Sequence, residues 1–226
     1  MEKRTFNILI VEDHPILMES YKSIFDELEE ENSSWKFNIK NGDTCDIAIF
    51  ILENQAPMEG FDLVFLDFRI PPSTDGKYIS GEDIGLYIRK KFPQTKIMFA
   101  TSESHQLKIQ SIFRSLDPEG FIYKGDSSRE IFMTAIKEIL NEGFYYSKSV
   151  LQTMRTNIAM DLFLDEWDRK ILFELERGTK TTHLPQILPL SLSSVGRRKR
   201  KLKELFEVEG DDDRELIEKA RELGFI

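Results

Sequence analysis

The stretch DLVFLDFRIPPSTDG, residues 62–76, decides the fold class of this chain. Its four apolar residues, Leu63 to Leu66, show no polar alternation, and such an unbroken run is typical of a strand that is buried on both faces of a parallel sheet. A single carboxylate, Asp67, follows the run, and two prolines soon after it prevent the strand from continuing. An acid directly after a buried strand indicates a polar site at that edge of the sheet.

Short apolar runs alternate with longer amphipathic segments through the first 140 residues. The longer segments carry apolar residues at helical spacing, so the pattern predicts five strands that alternate with five helices. We therefore expect an α/β fold with a five-stranded, doubly wound parallel sheet and helices on both of its faces. The five predicted strands are FNILIV (6–11), WKFNIK (35–40), DLVFLD (62–67), KIMFA (96–100) and GFIYK (120–124).

The last third of the chain has a different pattern. From about residue 164 onward the sequence shows no strand pattern, and short amphipathic segments predict helices only. We expect two domains and a connection: an α/β domain at 5–142, a partly helical linker at 143–163 and a small all-α domain at 164–226. The length of 226 residues also favours two small domains over one.

The composition limits the classes of function. A net charge of -9 argues against a protein that coats nucleic acid with its whole surface, although it permits a local basic patch. The one cysteine, Cys45, excludes an internal disulfide and favours a reducing compartment. No run approaches the roughly 18 apolar residues of a membrane span. We therefore expect a cytoplasmic protein with no membrane partner.

Charged and hydroxyl side chains follow four of the five predicted strands. In an open parallel sheet the carboxyl ends of the strands lie at one edge, where ligands bind. Glu12 and Asp13 follow the first strand, Asp67 the third, and Thr101 the fourth, while Lys124 ends the fifth. Each of these residues alone is as readily a helix cap or a solvated strand end. Their shared edge is what indicates a site.

Three carboxylates at one edge repel each other and need a cation. Oxygen ligands suit Mg²⁺, which also accepts a phosphate oxygen. Lys124 is a compact positive charge that can neutralise a phosphoryl group, and the Thr101 hydroxyl can hydrogen-bond to it. A carboxylate beside such a metal can attack phosphorus and form an aspartyl-phosphate, so the sequence predicts Asp67 as a nucleophile.

Four blocks of the sequence together resemble the receiver domain of bacterial two-component response regulators, which has a flavodoxin-like fold. The resemblance covers roughly residues 5–142. It implies that Asp67 is the phosphoacceptor, that Glu12 and Asp13 form the acidic pocket, and that Mg²⁺ binds Asp13, Asp67 and the Arg69 carbonyl. The four blocks are ILIVEDHP (8–15), DLVFLDFRIP (62–71), MFATSES (98–104) and GFIYKGD (120–126).

The same resemblance implies a switch. Thr101 would be the switch hydroxyl, Tyr123 the switch aromatic and Lys124 the phosphate-binding lysine. One departure from the family is a longer loop after the third strand, at 71–82. Arg69 and Glu103 occupy the positions that flank the path of the attacking water in this family, so an ion pair between them would slow dephosphorylation.

The stretch RRKRKLK, residues 197–203, contains six cations in seven residues. Apolar residues at helical spacing provide a packing face for the helix 191–206 and leave the cations on its outer side. A short helix and a turn precede it, which is the arrangement of a helix-turn-helix. The helix can therefore lie in a DNA major groove.

From LDEWDRKILFELERG to ARELGFI the chain resembles the LuxR/NarL-type helix-turn-helix DNA-binding domain. The resemblance places Arg197 and Arg200 in the groove and Ser194, Arg198 and Lys201 near the phosphates of double-stranded DNA. Two residues depart from the family. Gly196 stands where lysine is favoured, and Pro185 replaces a small residue, so that the first helix of the motif must start late or bend.

These features predict a phosphorylation-dependent transcription regulator and not an enzyme. A sensor histidine kinase would phosphorylate Asp67, and the phosphorylated protein would form a homodimer on DNA. One alternative is a receiver-based interaction module whose basic helix binds an acidic protein. A second is a haloacid-dehalogenase-like phosphatase, but that family needs an aspartate two residues after the nucleophile, where this chain has Arg69.

Overall fold

The computed structural model describes residues 3–102, 106–126, 128–156, 164–210 and 212–226. The chain forms two compact units, one from residues 1–104 and 116–156 and the other from 105–115 and 157–226. The second unit thus includes a segment that the sequence assigns to the α/β domain. The domain limits 5–142, 143–163 and 164–226 stay predictions. No helix of the described ranges has both the length and the apolar character to cross a bilayer.

A parallel sheet of six strands forms the centre of the first unit. Its order is β2-β1-β3-β4-β5-β6, with every pairing parallel. The predicted count of five strands is wrong by one short edge strand, which lies inside the predicted linker. The strands are β1 (Arg4–Val11), β2 (Trp35–Gly42), β3 (Leu63–Leu66), β4 (Lys96–Thr101), β5 (Gly120–Tyr123) and β6 (Tyr145–Tyr146).

Helices connect the strands of this unit, so each parallel pair is joined by a crossover. Their starts follow from local chemistry: Pro15 provides the fixed φ of a first turn, and the Thr44 and Ser128 hydroxyls accept hydrogen bonds from backbone N–H groups. The helices are α1 (Pro15–Glu31), α2 (Cys45–Asn54), α3 (Gly81–Lys91), α5 (Arg129–Leu140) and α6 (Lys148–Thr156), and α4 (Gln106–Leu116) follows β4 in the chain.

The sheet is buried on both faces, as the unbroken apolar runs predict. Residues Leu63 to Leu66 are all essentially inaccessible, and so are Ile8 to Val11 of β1. On one face, α1 and α5 pack aromatic and aliphatic side chains against these strands. Strands β1 and β3 therefore end at fixed positions in a rigid core, which determines where the residues that follow them lie.

The loop between β3 and α3 is ordered by its own polar contacts. Ser73 donates its backbone N–H to the Tyr78 carbonyl and accepts the Tyr78 N–H on its hydroxyl. Thr74 donates both its N–H and its hydroxyl to the Asp46 carboxylate of α2. The helix begins at Gly81, so the loop ends two residues before the predicted end at residue 82. The loop is thus fastened to α2.

Four further helices belong to the second unit. Asp165 caps the first of them by accepting two backbone N–H groups, and Asp168 completes the capping box. Pro185 lies in the first turn of its helix, where the missing N–H costs nothing. Apolar side chains from all four helices form one core. They are α7 (Glu166–Glu176), α8 (Leu184–Ile187), α9 (Leu192–Leu205) and α10 (Asp213–Glu222).

Candidate functional site

The acidic side chains predicted from the strand ends do lie together. Val11 of β1 and Leu66 of β3 are paired in register, so the residues after them are neighbours. Oxygen atoms of Glu12, Asp13 and Asp67 lie within 4.8 Å of one another and of a ring nitrogen of His14. Glu12 and Asp67 are buried, and Asp13 is partly exposed. The fold thus concentrates three carboxylates at one edge of the sheet.

Lys124 reaches this cluster from the end of β5. Its Nζ lies 2.7 Å from Glu12 Oε2 and 2.7 Å from Asp67 Oδ2. Two carboxylates that share one ammonium repel each other less, and both gain a charge-assisted hydrogen bond. The lysine is therefore located where it can also contact a group bound to Asp67.

Burial controls the electrostatics of Asp67, whose side chain is mostly inaccessible. Desolvation raises the pKa of its carboxyl, Lys124 opposes that effect by attraction and hydrogen bonding, and Glu12 adds repulsion. The Arg69 N–H also donates to Asp67 Oδ1 at 3.4 Å. Burial and the charge of Glu12 thus outweigh the attraction of Lys124, so the pKa of Asp67 lies above its ordinary value.

His14 has a more specific environment than the sequence indicated. The sequence favours an exposed loop role, and the side chain is indeed 68% exposed. However, its Nδ1 lies 2.8 Å from Asp13 Oδ1 and 3.1 Å from Glu12 Oε1. The negative charge of Asp13 is the main reason that the pKa of His14 is raised.

Tyr21 is a neighbour of the site that sequence analysis did not identify. Its ring packs between α1 and the sheet, with its centroid 4.4 Å from that of Phe65 and 5.2 Å from that of Phe132. Burial raises the pKa of its phenol, and the charges of Glu12 and Asp67 raise it further. An aromatic at helical spacing gives no sign of this proximity, since its position follows from how α1 packs on β3.

The predicted switch residues lie on adjacent strands. Thr101 ends β4 and is buried, Tyr123 ends β5 and is partly buried, and the two are paired in register. A Cβ atom at position 125 would lie 2.4 Å from the Tyr123 ring. Glycine at this position therefore avoids a clash with that ring. The structure brings Thr101 and Tyr123 together, but their roles stay predictions. Glu103, predicted to pair with Arg69, lies outside the described residues.

The acidic cluster fits a hard divalent cation. Its three carboxylates provide oxygen ligands, two of them buried and one partly open to solvent, and a single ammonium leaves an excess of negative charge. Asp13 and Asp67 therefore have the chemistry of the predicted ligands. The identity of the ion, and the Arg69 carbonyl as a ligand, stay predictions.

In the second unit, α9 divides its cations between two faces. Arg197, Arg200 and Lys201 are exposed. Lys199 is different: its Nζ lies 2.6 Å from Asp213 Oδ2 and 2.6 Å from Thr181 Oγ1. The run of six cations thus contributes fewer outward charges than its sequence suggests.

Arg198 is also turned toward the protein. Its Nη1 lies 2.7 Å from Asp165 Oδ2 and 2.7 Å from Asp168 Oδ1 at the start of α7. Because Asp168 is 1% exposed, this guanidinium compensates a buried charge. Its predicted contact with DNA phosphates stays a prediction, as do those of Ser194 and Lys201. Gly196 has open space at its Cβ position, so packing does not require a glycine there.

Comparison with known proteins gives solved structures only. No family model matches the chain, and no curated protein matches it. The solved structures include RcsB from Salmonella enterica serovar Typhimurium bound to the promoter rprA in the presence of the phosphomimetic BeF3-, with 18% identity, a TM-score of 0.66 and coverage of 96% of this chain and 98% of that one.

Two further structures agree with the first. Two RcsB dimers bound to two parallel DNAs give 16% identity, a TM-score of 0.58 and coverage of 96% and 98%. The isolated REC domain of RcsB gives 19% identity, a TM-score of 0.52 and coverage of 66% of this chain and 99% of that one. This chain has the fold of a response regulator. The parallel sheet lies in its first unit, and helices α7–α10 lie in its second.

Proposed function

We propose that this protein is a phosphorylation-dependent transcription regulator of a two-component system. In this scheme a sensor histidine kinase donates a phosphoryl group to Asp67, and the phosphorylated chain binds double-stranded DNA as a homodimer through α9. The supporting observation is the pair of 2.7 Å contacts by which Lys124 links Glu12 and Asp67 at the ends of β1 and β3. The chain then acts as a regulator and not as a dedicated enzyme.

The transfer uses groups that the chain already aligns. An Asp67 oxygen attacks phosphorus, the bond between phosphorus and the kinase's histidine nitrogen breaks, and the imidazole leaves. Lys124 moves one of its hydrogen bonds from Asp67 Oδ2 to a phosphoryl oxygen, so that its charge follows the new anion. Glu12 retains the other hydrogen bond and keeps the lysine in place.

Mg²⁺, bound by Asp13, Asp67 and the Arg69 carbonyl, would supply positive charge next to the phosphoryl oxygens. The Arg69 N–H already contacts Asp67 Oδ1, which holds that stretch of backbone beside the carboxylate. The Thr101 hydroxyl would then hydrogen-bond to the phosphoryl group, and Tyr123 would fill the space behind it. This is a local charge change that biases a two-state element.

The DNA contact is proposed on α9. The RcsB structures with DNA support it, because their fold covers nearly the whole of this chain. Arg197 and Arg200 are exposed on the helix and would contact base edges, whereas Ser194 and Lys201 would contact phosphates. We expect Arg197→Ala and Arg200→Ala each to reduce discrimination between sites by about 1–3 kcal/mol if they bind guanine.

Phosphate uptake is the first test of the proposal. The protein is incubated with acetyl phosphate and Mg²⁺, and intact mass and light scattering are measured. Wild type should gain one phosphoryl group and shift from monomer to dimer, and Asp67→Asn should do neither. The matched control Asp26→Asn, at an exposed position of α1, should behave as wild type. Uptake by Asp67→Asn would refute the assignment of the phosphoacceptor.

A second experiment separates the regulator from the interaction module. Random duplexes are selected with the phosphorylated protein at a fixed salt concentration, since affinity alone is dominated by phosphate contacts. A common motif among the selected duplexes would support the regulator. Binding without sequence preference would favour an acidic protein as the partner of α9.

A further inference from the structure

The segment after α5 continues the receiver sheet instead of leaving it. Tyr145 donates its N–H to the Glu119 carbonyl at 2.9 Å, and the two residues of β6 pair in register with Gly120 and Phe121. The Tyr146 hydroxyl donates to the Pro118 carbonyl at 3.0 Å. This segment is therefore attached to β5 along most of the length of that strand.

Ser147 follows β6 and contacts β5 through both its backbone and its side chain. Its N–H donates to the Phe121 carbonyl at 2.9 Å, and its hydroxyl oxygen accepts the Tyr123 N–H at 3.1 Å. Strand β6 ends one residue earlier, so no backbone carbonyl of β6 is paired with Tyr123. The Ser147 side chain takes the place of that missing strand partner.

The same residue begins α6. The Ser147 carbonyl accepts the Leu151 N–H at 3.0 Å, which closes the first turn of the helix. Val150 in that turn is 0% exposed, so the turn is anchored in the first unit. Ser147 itself is buried. One buried serine thus bonds to the end of the strand that carries the predicted switch aromatic and to the start of the next helix.

We propose that Ser147 is a positioning residue that couples the backbone of Tyr123 to the first turn of α6. A shift of Tyr123 changes the hydrogen bond that the Ser147 hydroxyl accepts, and the first turn of α6 responds because it is built on the carbonyl of the same residue. According to this proposal, a change at Tyr123 reaches α6 through the edge of the sheet. It rests on the proposed function only in taking Tyr123 as the switch residue.

A double-mutant cycle tests the coupling without phosphate. Amide hydrogen exchange of α6 is measured by mass spectrometry in wild type, Ser147→Ala, Tyr123→Ala and the double variant. We expect Ser147→Ala to speed exchange in α6 by about two- to tenfold, which corresponds to the loss of one ordinary hydrogen bond. Tyr123→Ala keeps the backbone N–H but loses the ring, and it should speed exchange in α6 in the same direction. The double variant should exchange no faster than Ser147→Ala, because the path from Tyr123 is already broken.

Two controls separate coupling from general loosening of the fold. Ser20→Ala, at an exposed position of α1, should leave exchange in α6 at the wild-type rate. Ser147→Thr keeps the acceptor oxygen and should restore most of the protection, whereas a purely steric role would make it as poor as alanine. Additive effects in the cycle, or no rescue by threonine, would overturn the proposal.

A further measurement with a phosphodonor tests whether phosphorylation acts through this coupling. In wild type, acetyl phosphate with Mg²⁺ should change the rate of amide exchange in α6. In Ser147→Ala, phosphate uptake measured by intact mass should stay normal, but the change of exchange in α6 should be lost. A phosphorylated Ser147→Ala protein with a full response in α6 would overturn the inference. Absence of uptake by wild type would instead contradict the proposed function, and the cycle would still decide the coupling.

Discussion

Thr101 and Tyr123 are register partners at the ends of β4 and β5, so the hydroxyl and the aromatic predicted to form the switch lie side by side. In a parallel pair, register partners project from the same face of the sheet. Thr101 is buried and Tyr123 is partly exposed.

Thr101→Ala should separate phosphorylation from its consequence. Asp67, Lys124 and the acidic pair remain, so uptake of phosphate should persist, but the phosphoryl group loses the hydroxyl that draws β4 toward it. The gain in DNA affinity on phosphorylation should fall by about 1.5–3 kcal/mol, the contribution of a hydrogen bond to a charged group. Fluorescence anisotropy with and without acetyl phosphate measures that gain.

Thr95→Ala is the matched control for this variant. Thr95 is equally buried, directly precedes β4 at the opposite end, and its hydroxyl has no hydrogen-bond partner in the described part of the chain. It should keep both uptake and the affinity gain. An intact gain in Thr101→Ala would remove Thr101 from the switch.

Lys124→Met should raise the pKa of Asp67 further above its ordinary value. Burial already raises that pKa, and Lys124 is the main group that opposes the rise. Since the folded pKa lies above the unfolded value of about 3.8, the folded state binds the proton more tightly, and stability falls as pH increases through that window. This fall should extend to higher pH in Lys124→Met.

Carbon-13 NMR of the carboxyl groups, without metal, measures this titration directly. Lys219→Met, whose ammonium pairs with Glu222 on the exposed side of α10, is the control and should leave the pKa of Asp67 unchanged. An Asp67 titration at the same pH in Lys124→Met and wild type would show that the 2.7 Å contact does not persist in solution.

Lys201 and Lys199 should differ in their effect on the salt dependence of DNA binding. Lys201 is exposed, whereas Lys199 is paired with Asp213 and Thr181. Each phosphate contact contributes about 0.9 to the slope of log affinity against log salt. Lys201→Ala should therefore reduce the slope by about that amount, and Lys199→Ala should leave it near wild type. Equal losses for both would mean that α9 repacks on DNA.

Arg198→Ala should destabilise the helical domain. The substitution leaves the buried Asp168 carboxylate without its guanidinium partner, and the Lys201 ammonium lies 4.0 Å away. Loss of one partner of a buried pair costs roughly 3–5 kcal/mol, and we expect about 3 because Arg198 is 23% exposed. Urea unfolding measures the change, with Arg221→Ala, from a more exposed pair with Glu176, as the mild comparison.

The receiver part of the fold was predictable because its signals are local. An unbroken apolar run such as Leu63 to Leu66 is typical of a strand buried on both faces, and parallel strands bring the residues after them to one edge. The same rule predicts that Glu12, Asp13, Asp67 and Lys124 lie together, and in the structure they do. The helical domain was predictable in the same way, from caps and helical spacing.

The remainder depends on long-range packing. A two-residue strand such as β6 has no alternation to detect, and it exists because β5 presents a free edge to the segment after α5. The proximity of Tyr21 to the acids follows from how α1 packs on β3. The inward orientation of Arg198 and Lys199 follows from acids on α7 and α10, far away in the sequence.

The loop between β3 and α3 has one more property, which arises at its base. Gly81 donates its N–H to the Phe68 carbonyl at 3.0 Å, and a side chain at position 81 would lie 2.0 Å from the Asp67 carbonyl oxygen. The two ends of the loop are therefore joined next to the acid, and only glycine permits that approach. Residues can be inserted or removed between 72 and 79 without displacing Asp67, so this loop is a natural place for evolution, or an engineer, to graft a new recognition segment beside the site.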